Sequence, residues 1–256
     1  MKIRFLGAHN TESQETKLVS LLIDDRLALD AGGLTSSLSF DKQLKLRAIL
    51  LTHQHYDHIK DIPLLGMNLF LEKASIDVFS TSSVYESLVV HLLNDLLYPA
   101  FMKEAKEGAT IRFHTINLYQ EVRIGDYFIL PLPVDHSVPA VGYQITSTDG
   151  KAVFYTGDTG LGLADCWRYI TPNLIIIEVT ASDRFEQFGI QKGHLTPSLL
   201  KQEMLDLLKI KGYLPDVITV HMNPALESEI EAELSTVAAE LGNSITLAYE
   251  GMEIEL

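Results

Sequence analysis

The chain of 256 residues has a single cysteine, Cys166. One cysteine cannot close a disulfide within the chain, so nothing in the sequence calls for an oxidising compartment. Long apolar runs are also lacking. The richest stretch, Val84 to Leu97, is interrupted by Glu86, His91, Asn94 and Asp95. No run approaches the roughly 18 apolar residues of a membrane span. The opening MKIRFLGAHNTESQ has too short an apolar run for a secretory signal, and no small-residue cleavage pattern follows it. A cytoplasmic location is expected. Positive charge is scarce as well: Lys+Arg total 20 against 34 Asp+Glu, a formal net charge of −14. Nucleic acids are bound largely by Lys and Arg neutralising phosphates, so they are a disfavoured partner class; an anionic membrane gains nothing from such a surface either.

What is present is ordinary globular material. Hydrophobic residues make up 46% and charged residues 21%, enough for a large core. With no internal repeat, low-complexity segment or Gly/Ser/Pro-rich linker, residues 1–256 read as one domain. Strands are expected at Lys2–Leu6, Arg47–Leu51, Asn173–Val179 and Asp216–Val220. Asp24-Asp25, Gly125-Asp126 and Asp149-Gly150 each lie between two strand-like runs and predict hairpins. A helix is expected over Ile62–Leu71. Ser83-x-x-Glu86 has capping-box form and predicts a second, with Val84, Leu88, Leu92 and Leu96 on one face, ended or kinked at Tyr98-Pro99. Thr196-Pro197 and Asn223-Pro224 read as helix starts, with the stops at Gly212 and Gly242. Strands, helices, strands, helices suggest two similar halves, sheet inside and helices outside.

Nine histidines are unevenly spread. His53-Gln54-His55-Tyr56-Asp57-His58 places four potential metal ligands in six residues, directly after the strand RAILLT. Residues i and i+2 leaving a strand point the same way, so His53 and His55 can grip one ion. Asp57 and His58 lie one turn on and can face a second. Neutral imidazoles suit zinc and similar borderline cations. His136 follows YFILPLPVD, Asp158 follows KAVFYTG and His221 follows DVITV. Each is a coordinating residue just beyond a strand's C-terminal end, where sites are commonly built.

His-x-His-x-Asp-His, a later His, Gly-Asp-Thr and a late His together resemble the metallo-β-lactamase superfamily. The resemblance spans nearly the whole chain, with LALDAGG (Leu27–Gly33) similar to its early Asp motif and YEGMEIEL (Tyr249–Leu256) to its closing strand. It implies an α/β fold, a four-layer αββα sandwich, with two divalent ions. One takes His53, His55 and His136; the other takes Asp57, His58 and His221; Asp158 bridges them. Asp30 would orient a ligand imidazole. Zinc is the expected metal, and the same ligands accept manganese or iron. Two such ions, less Asp57, Asp158 and a shared hydroxide, leave a centre near +1 that draws in an anionic phosphodiester.

Two further residues narrow the branch. Glu178 ends NLIIIE, and His194 lies in Gly193-His194-Leu195-Thr196. The superfamily's phosphodiesterases have a similar Glu and an extra His that contacts the scissile phosphate. The start of the following helix offers backbone amides to the same anion. Pro131–Ile145, Thr156–Leu161 and the C-terminal EGMEIEL are similar to the cyclic-phosphate phosphodiesterases of the carbon–phosphorus lyase pathway, although the matching loop His9–Glu15 lacks their cysteines. GHLTP and HLLNDLLYPAF are similar to class II cyclic-nucleotide phosphodiesterases. Ribonuclease Z shares the Glu and His, but carries a long tRNA-grasping arm where only 21 residues separate His136 from Asp158 here. The expected activity is hydrolysis of a small phosphodiester, cyclic ones included, with Asp57, His194 and Glu178 in catalytic roles. A non-phosphate ester, lactone or thioester is the alternative substrate, and a non-catalytic metal-binding protein the third reading.

Other residues have plainer readings. His9 belongs to a loop that can line the site, while His91 and His114 fit a helix face and a strand. Cys166 reads as packing beside Trp167, and Glu227, Glu229, Glu231 and Glu233 as a solvated helix face. The apolar stripe over 88–97 reads as core; a substrate lid or homodimer surface is its alternative.

Overall fold

A computed structural model describes residues 1–104 and 108–256, without the side chains of Lys103 and Glu104. The chain divides into two compact units. The first comprises Met1–Gly7, Glu12–Asn117 and Glu250–Glu255; the second comprises Ala8–Thr11, Leu118–Tyr249 and Leu256.

The first unit opens with β1 (Lys2–Gly7), β2 (Ser20–Ile23) and β3 (Leu27–Leu29). Asp24 and Asp25 turn β2 into β3 with φ of 47° and 56°, the left-handed geometry that two-residue hairpin turns require and that Asp tolerates. Helices α1 (Leu34–Ser37) and α2 (Phe40–Gln43) follow, then β4 (Ala48–Leu50), α3 (Tyr56–Ile59), α4 (Ile62–Leu71), β5 (Ile76–Ser80) and α5 (Ser82–Ser87). Strands β6 (Met102–Glu104) and β7 (Ile111–Thr115) complete the order closing strand–β1–β2–β3–β4–β5–β7–β6, in which the closing strand is Glu253–Glu255. From β3 to β7 the pairing is parallel, so β3 and β4 end at the same edge. Ile49, Leu51, Ile62, Leu65, Leu69, Val78 and Phe113 form the centre of this unit's core.

The helix expected over 84–97 is shorter. It is capped at Thr81 rather than Ser83, without a capping-box bond, and passes into a π-helical turn over 88–92. Asn94 then ends it: its side-chain oxygen accepts the Leu96 and Leu97 amides while its amide donates to Val90 O. Such local bonds compete directly with helix. Of the expected stripe, Val84, Leu88 and Leu93 are core, whereas Leu96 is 93% exposed.

The second unit holds β8 (Val122–Ile124), β9 (Tyr127–Val134), β10 (Ala140–Ser147), β11 (Ala152–Tyr155), α6 (Ala164–Tyr169), β12 (Leu174–Glu178), α7 (Glu186–Lys192), α8 (Pro197–Lys211), β13 (Asp216–Val220), α9 (Glu227–Leu241) and β14 (Ile245–Leu247). Its sheet order is β14–β13–β12–β11–β10–β9–β8. Strands β11 to β14 run parallel, and two antiparallel steps return β9 to the same direction. The C-terminal ends of β9, β11, β12 and β13 therefore share one edge. Trp167 is fully buried against Phe154 with ring centroids 5.8 Å apart, edge to face. Gly212 and Gly242 stop α8 and α9 in the left-handed conformation the sequence predicts. Helix α9 starts three residues after Pro224, because Asn223 first closes a turn through Ala225 N and Leu226 N.

Among the described residues, no helix is long and apolar enough to cross a membrane.

Candidate metal centre

In the first unit the histidine segment leaves β4 beside the end of β3. Asp30, fully buried with φ of 54°, anchors it. The Thr52 amide and hydroxyl both donate to Asp30, at 2.8 and 2.9 Å. Having given its proton to the carboxylate, the hydroxyl accepts from His53 Nδ1 at 2.9 Å. Asp30 Oδ2 also accepts from His58 Nδ1 at 2.8 Å. One buried carboxylate thereby favours, in both imidazoles, the tautomer whose proton sits on Nδ1. His55 caps α3, and its ring centroid lies 4.7 Å from that of His53. His58 Nε2 is 3.6 Å from Asp57 Oδ2.

The second unit repeats the device. Glu178, fully buried at the end of β12, accepts from His194 Nδ1 at 2.6 Å and from the Thr180 hydroxyl at 2.8 Å. Thr180 Oγ1 in turn accepts from His221 Nδ1 at 2.8 Å. His136 donates its Nδ1 proton to Gly193 O at 2.8 Å. Burial pushes the His136 imidazole below its ordinary pKa, only partly offset by Asp158, which favours the neutral ring that metals bind. Asp158 Oδ2 lies 3.8 Å from His136 Nε2 and 3.4 Å from His221 Nε2.

These spacings fit a metal. Two ligands at about 2 Å from one tetrahedral ion lie about 3.3 Å apart. The pairs Asp57–His58, His136–Asp158 and Asp158–His221 all come near that figure, and Asp158 answers two imidazoles at once, as a shared ligand does. The donor set of imidazoles and carboxylates suits zinc, manganese or iron.

Backbone geometry is part of the arrangement. His221 has φ of 65°, and its amide donates to Ala8 O at 2.6 Å. His9 is the next residue; it is buried, bridges to Met222, and its Nε2 lies 3.4 Å from Glu227 Oε2. Gly193 adopts φ of 71°, and a Cβ there would fall 2.9 Å from His136 Cα. Only glycine combines this conformation with this approach.

Several expectations need correction. The start of α8 does not offer its amides freely: the Asp183 carboxylate takes Ser198 N at 2.8 Å and Ser198 Oγ at 2.6 Å. An internal anion already caps that terminus. Nor is the acidic face of α9 merely solvated, since Glu229 pairs with Arg184 and Glu233 accepts Asp183 N besides the Glu227–His9 contact. Cys166 packs as expected, its thiol donating to Pro133 O at 3.1 Å. Thr52, Thr180 and Gly193 were not legible as site residues. Their roles depend on partners up to 57 positions away.

Residues 33–222 match the family described as "Beta-lactamase superfamily domain". The ribonuclease Z of Acaryochloris marina is 28% identical over 170 residues, which cover 61% of this chain and 51% of that protein. The chain thus spans about half the length of that relative. Unliganded yeast PDE1 superimposes over 100% of this chain and 99% of its own, with a TM-score of 0.84 and 16% identity. The metallo-β-lactamase fold protein YhfI from Bacillus subtilis gives 100% and 98%, a TM-score of 0.75 and 18% identity. At such identities the two structures speak for the fold alone. With two mixed sheets, each carrying its own helices, and a family match over most of its length, the chain is a member of the β-lactamase superfamily with the metallo-β-lactamase fold.

Proposed function

We propose that this chain is a phosphodiesterase that hydrolyses a small phosphodiester, cyclic ones included, at two divalent ions. One ion would be held by His53, His55 and His136, the other by Asp57, His58 and His221, with Asp158 shared; zinc is the metal proposed. When bound, such ions supply Lewis acidity and a water whose pKa falls towards about 7. The observation that carries the reading is the Glu178–His194 pair. With its Nδ1 proton held by Glu178 at 2.6 Å, the doubly protonated His194 ring, its charge offset by that carboxylate, would hand its Nε2 proton to a departing alkoxide and return to neutral. Its ring centroid lies 5.0 Å from that of His136 and 5.5 Å from that of His221. A proton donor fixed beside metal-binding imidazoles suits a diester, whose leaving oxygen must be neutralised.

The name of the curated relative favours a second reading, processing of RNA like a ribonuclease Z. Against it stand the net charge of −14 and the stretch from His136 to Asp158, which folds into the β10–β11 hairpin.

Metal analysis joined to a substrate panel separates the readings. The panel holds cyclic nucleotides, a ribose cyclic phosphate, a lactone and a precursor tRNA. Two bound ions with turnover of the cyclic phosphates is the expected result. His194→Ala should keep both ions and lose about 10²–10⁴-fold in kcat. Full activity in that variant would remove His194 from the mechanism.

A further inference from the structure

The first unit contains a cavity of about 770 Å³, within the range of small-molecule sites. Its walls are Phe40, Tyr56, Leu64, Leu97 and Tyr98, with Gln43 and Asn68 among its polar groups. Three observations say what fits. First, the polar groups are largely committed. Gln43 donates to Leu38 O at 2.8 Å and Thr35 O at 3.2 Å, and accepts from Asn68 at 2.8 Å. Second, the one cation in the lining, Lys60, is neutralised by Glu12 at 2.6 Å and flanked by Asp61 at 3.9 Å. The cavity thus gives a phosphate no net positive charge, and favours an uncharged, aromatic or apolar group. Third, the wall is continuous with the histidine segment. Tyr56 stands between His55 and Asp57 in the chain. The Asp30 loop that reaches Thr35 runs so close to Asp57 that a Cβ on Gly32 would lie 2.1 Å from Asp57 O.

We infer that this cavity is the subsite for the retained ester group of the substrate, and that the substrate is a phosphodiester with an uncharged aromatic or apolar group on one side. The inference rests on the phosphodiesterase reading. Filling or opening the cavity should then change discrimination between diesters and leave the chemistry alone.

The test uses the zinc-loaded full chain with bis(4-nitrophenyl) phosphate and methyl 4-nitrophenyl phosphate. Both lose the same 4-nitrophenolate as water adds to phosphorus and the P–O bond breaks; they differ only in the group retained. Leu64→Trp fills the cavity and Phe40→Ala opens its wall. Each should raise KM for the bis-aryl ester about tenfold and leave kcat/KM for the methyl ester unchanged within about twofold. Metal content and thermal unfolding confirm intact protein. Independently of turnover, the neutral dye N-phenyl-1-naphthylamine should bind one per chain and be displaced by the bis-aryl ester but not by dimethyl phosphate. Leu64→Trp should abolish its binding. Equal effects on both esters, or unaltered dye binding in Leu64→Trp, overturn the inference. So does a chain that dimerises until Phe40→Ala makes it monomeric, because the face would then be an interface between copies. If neither ester is cleaved but the dye is displaced by the bis-aryl ester alone, the subsite stands and the phosphodiesterase reading fails.

Discussion

Thr180→Val is the sharpest perturbation of this centre. Valine keeps the shape and β-branching that a strand end favours and removes only the hydroxyl. Two close bonds go with it, to Glu178 at 2.8 Å and from His221 Nδ1 at 2.8 Å, together with a longer contact to His194 Nδ1 at 3.2 Å. Glu178 and His221 are buried, at 0% and 4% exposure. A hydrogen bond to a charged group contributes about 1.5–3 kcal/mol, and a buried donor left unmade costs about 1–3 kcal/mol. The unfolding free energy should therefore fall by about 3 kcal/mol. The functional effect is larger than that suggests. Without an acceptor at Nδ1, His221 is no longer fixed in the tautomer that presents Nε2, and loss of such an orienting partner weakens metal binding about 10–100-fold. Chelator competition on wild type, Thr180→Val and Thr180→Ser measures this. Serine restores the hydroxyl and should recover most of the affinity. Affinity in Thr180→Val within about twofold of wild type, well short of the 10–100-fold expected, would show that the hydroxyl does not orient the ligand.

Other consequences are equally direct. Gly193→Ala places a Cβ 2.9 Å from His136 Cα at φ of 71°; denaturant titration should show a loss of about 2 kcal/mol or more, and metal analysis a depleted centre. The Cys166 thiol is pushed up to about 12 by burial, Glu203 adding to it, so a thiol reagent at pH 8 should label it only as the chain unfolds; rapid labelling of native protein would contradict this. Glu203 is buried, holds Gly162 N at 2.7 Å and Trp167 Nε1 at 3.2 Å, and is raised above its ordinary pKa chiefly by burial. As pH climbs past the unfolded value of about 4.5, the unfolded chain gives up this proton first and the fold loses stability until Glu203 itself ionises. The stability of Glu203→Gln relative to wild type should accordingly increase with pH across that window; a difference flat in pH would refute it.

Much of this was legible in the sequence because it is written locally. The Asp-Asp, Gly-Asp and Asp-Gly turns, the Thr-Pro start of α8 and the glycines that stop α8 and α9 act through neighbours within a few residues. The six-residue histidine segment announces its own chemistry, and candidates one to three residues past a strand end follow from sheet geometry. What stayed hidden depends on distant partners or on close competition. Asn94 won over the apolar periodicity of 84–97 by bonding its own backbone. Strand β5 is only five residues long, and its Phe79 breaks the apolar–polar alternation in sequence. Thr52 and Thr180 look like any strand-end threonine until a distant partner is placed beside each, the Asp30 carboxylate for Thr52 and the His221 imidazole for Thr180.

The left-handed backbone at His221 and Asp30 carries a last implication. For residues with a Cβ this region lies about 1–2 kcal/mol above the right-handed one, and glycine alone escapes that penalty. If conformational ease had been the criterion, glycine would stand at both places. A glycine introduced at either place would relax the backbone but forfeit the bonds those side chains make, from Thr52 and His58 to Asp30 and from His221 to Thr180, so ease of the chain and order of the side chains pull in opposite directions there.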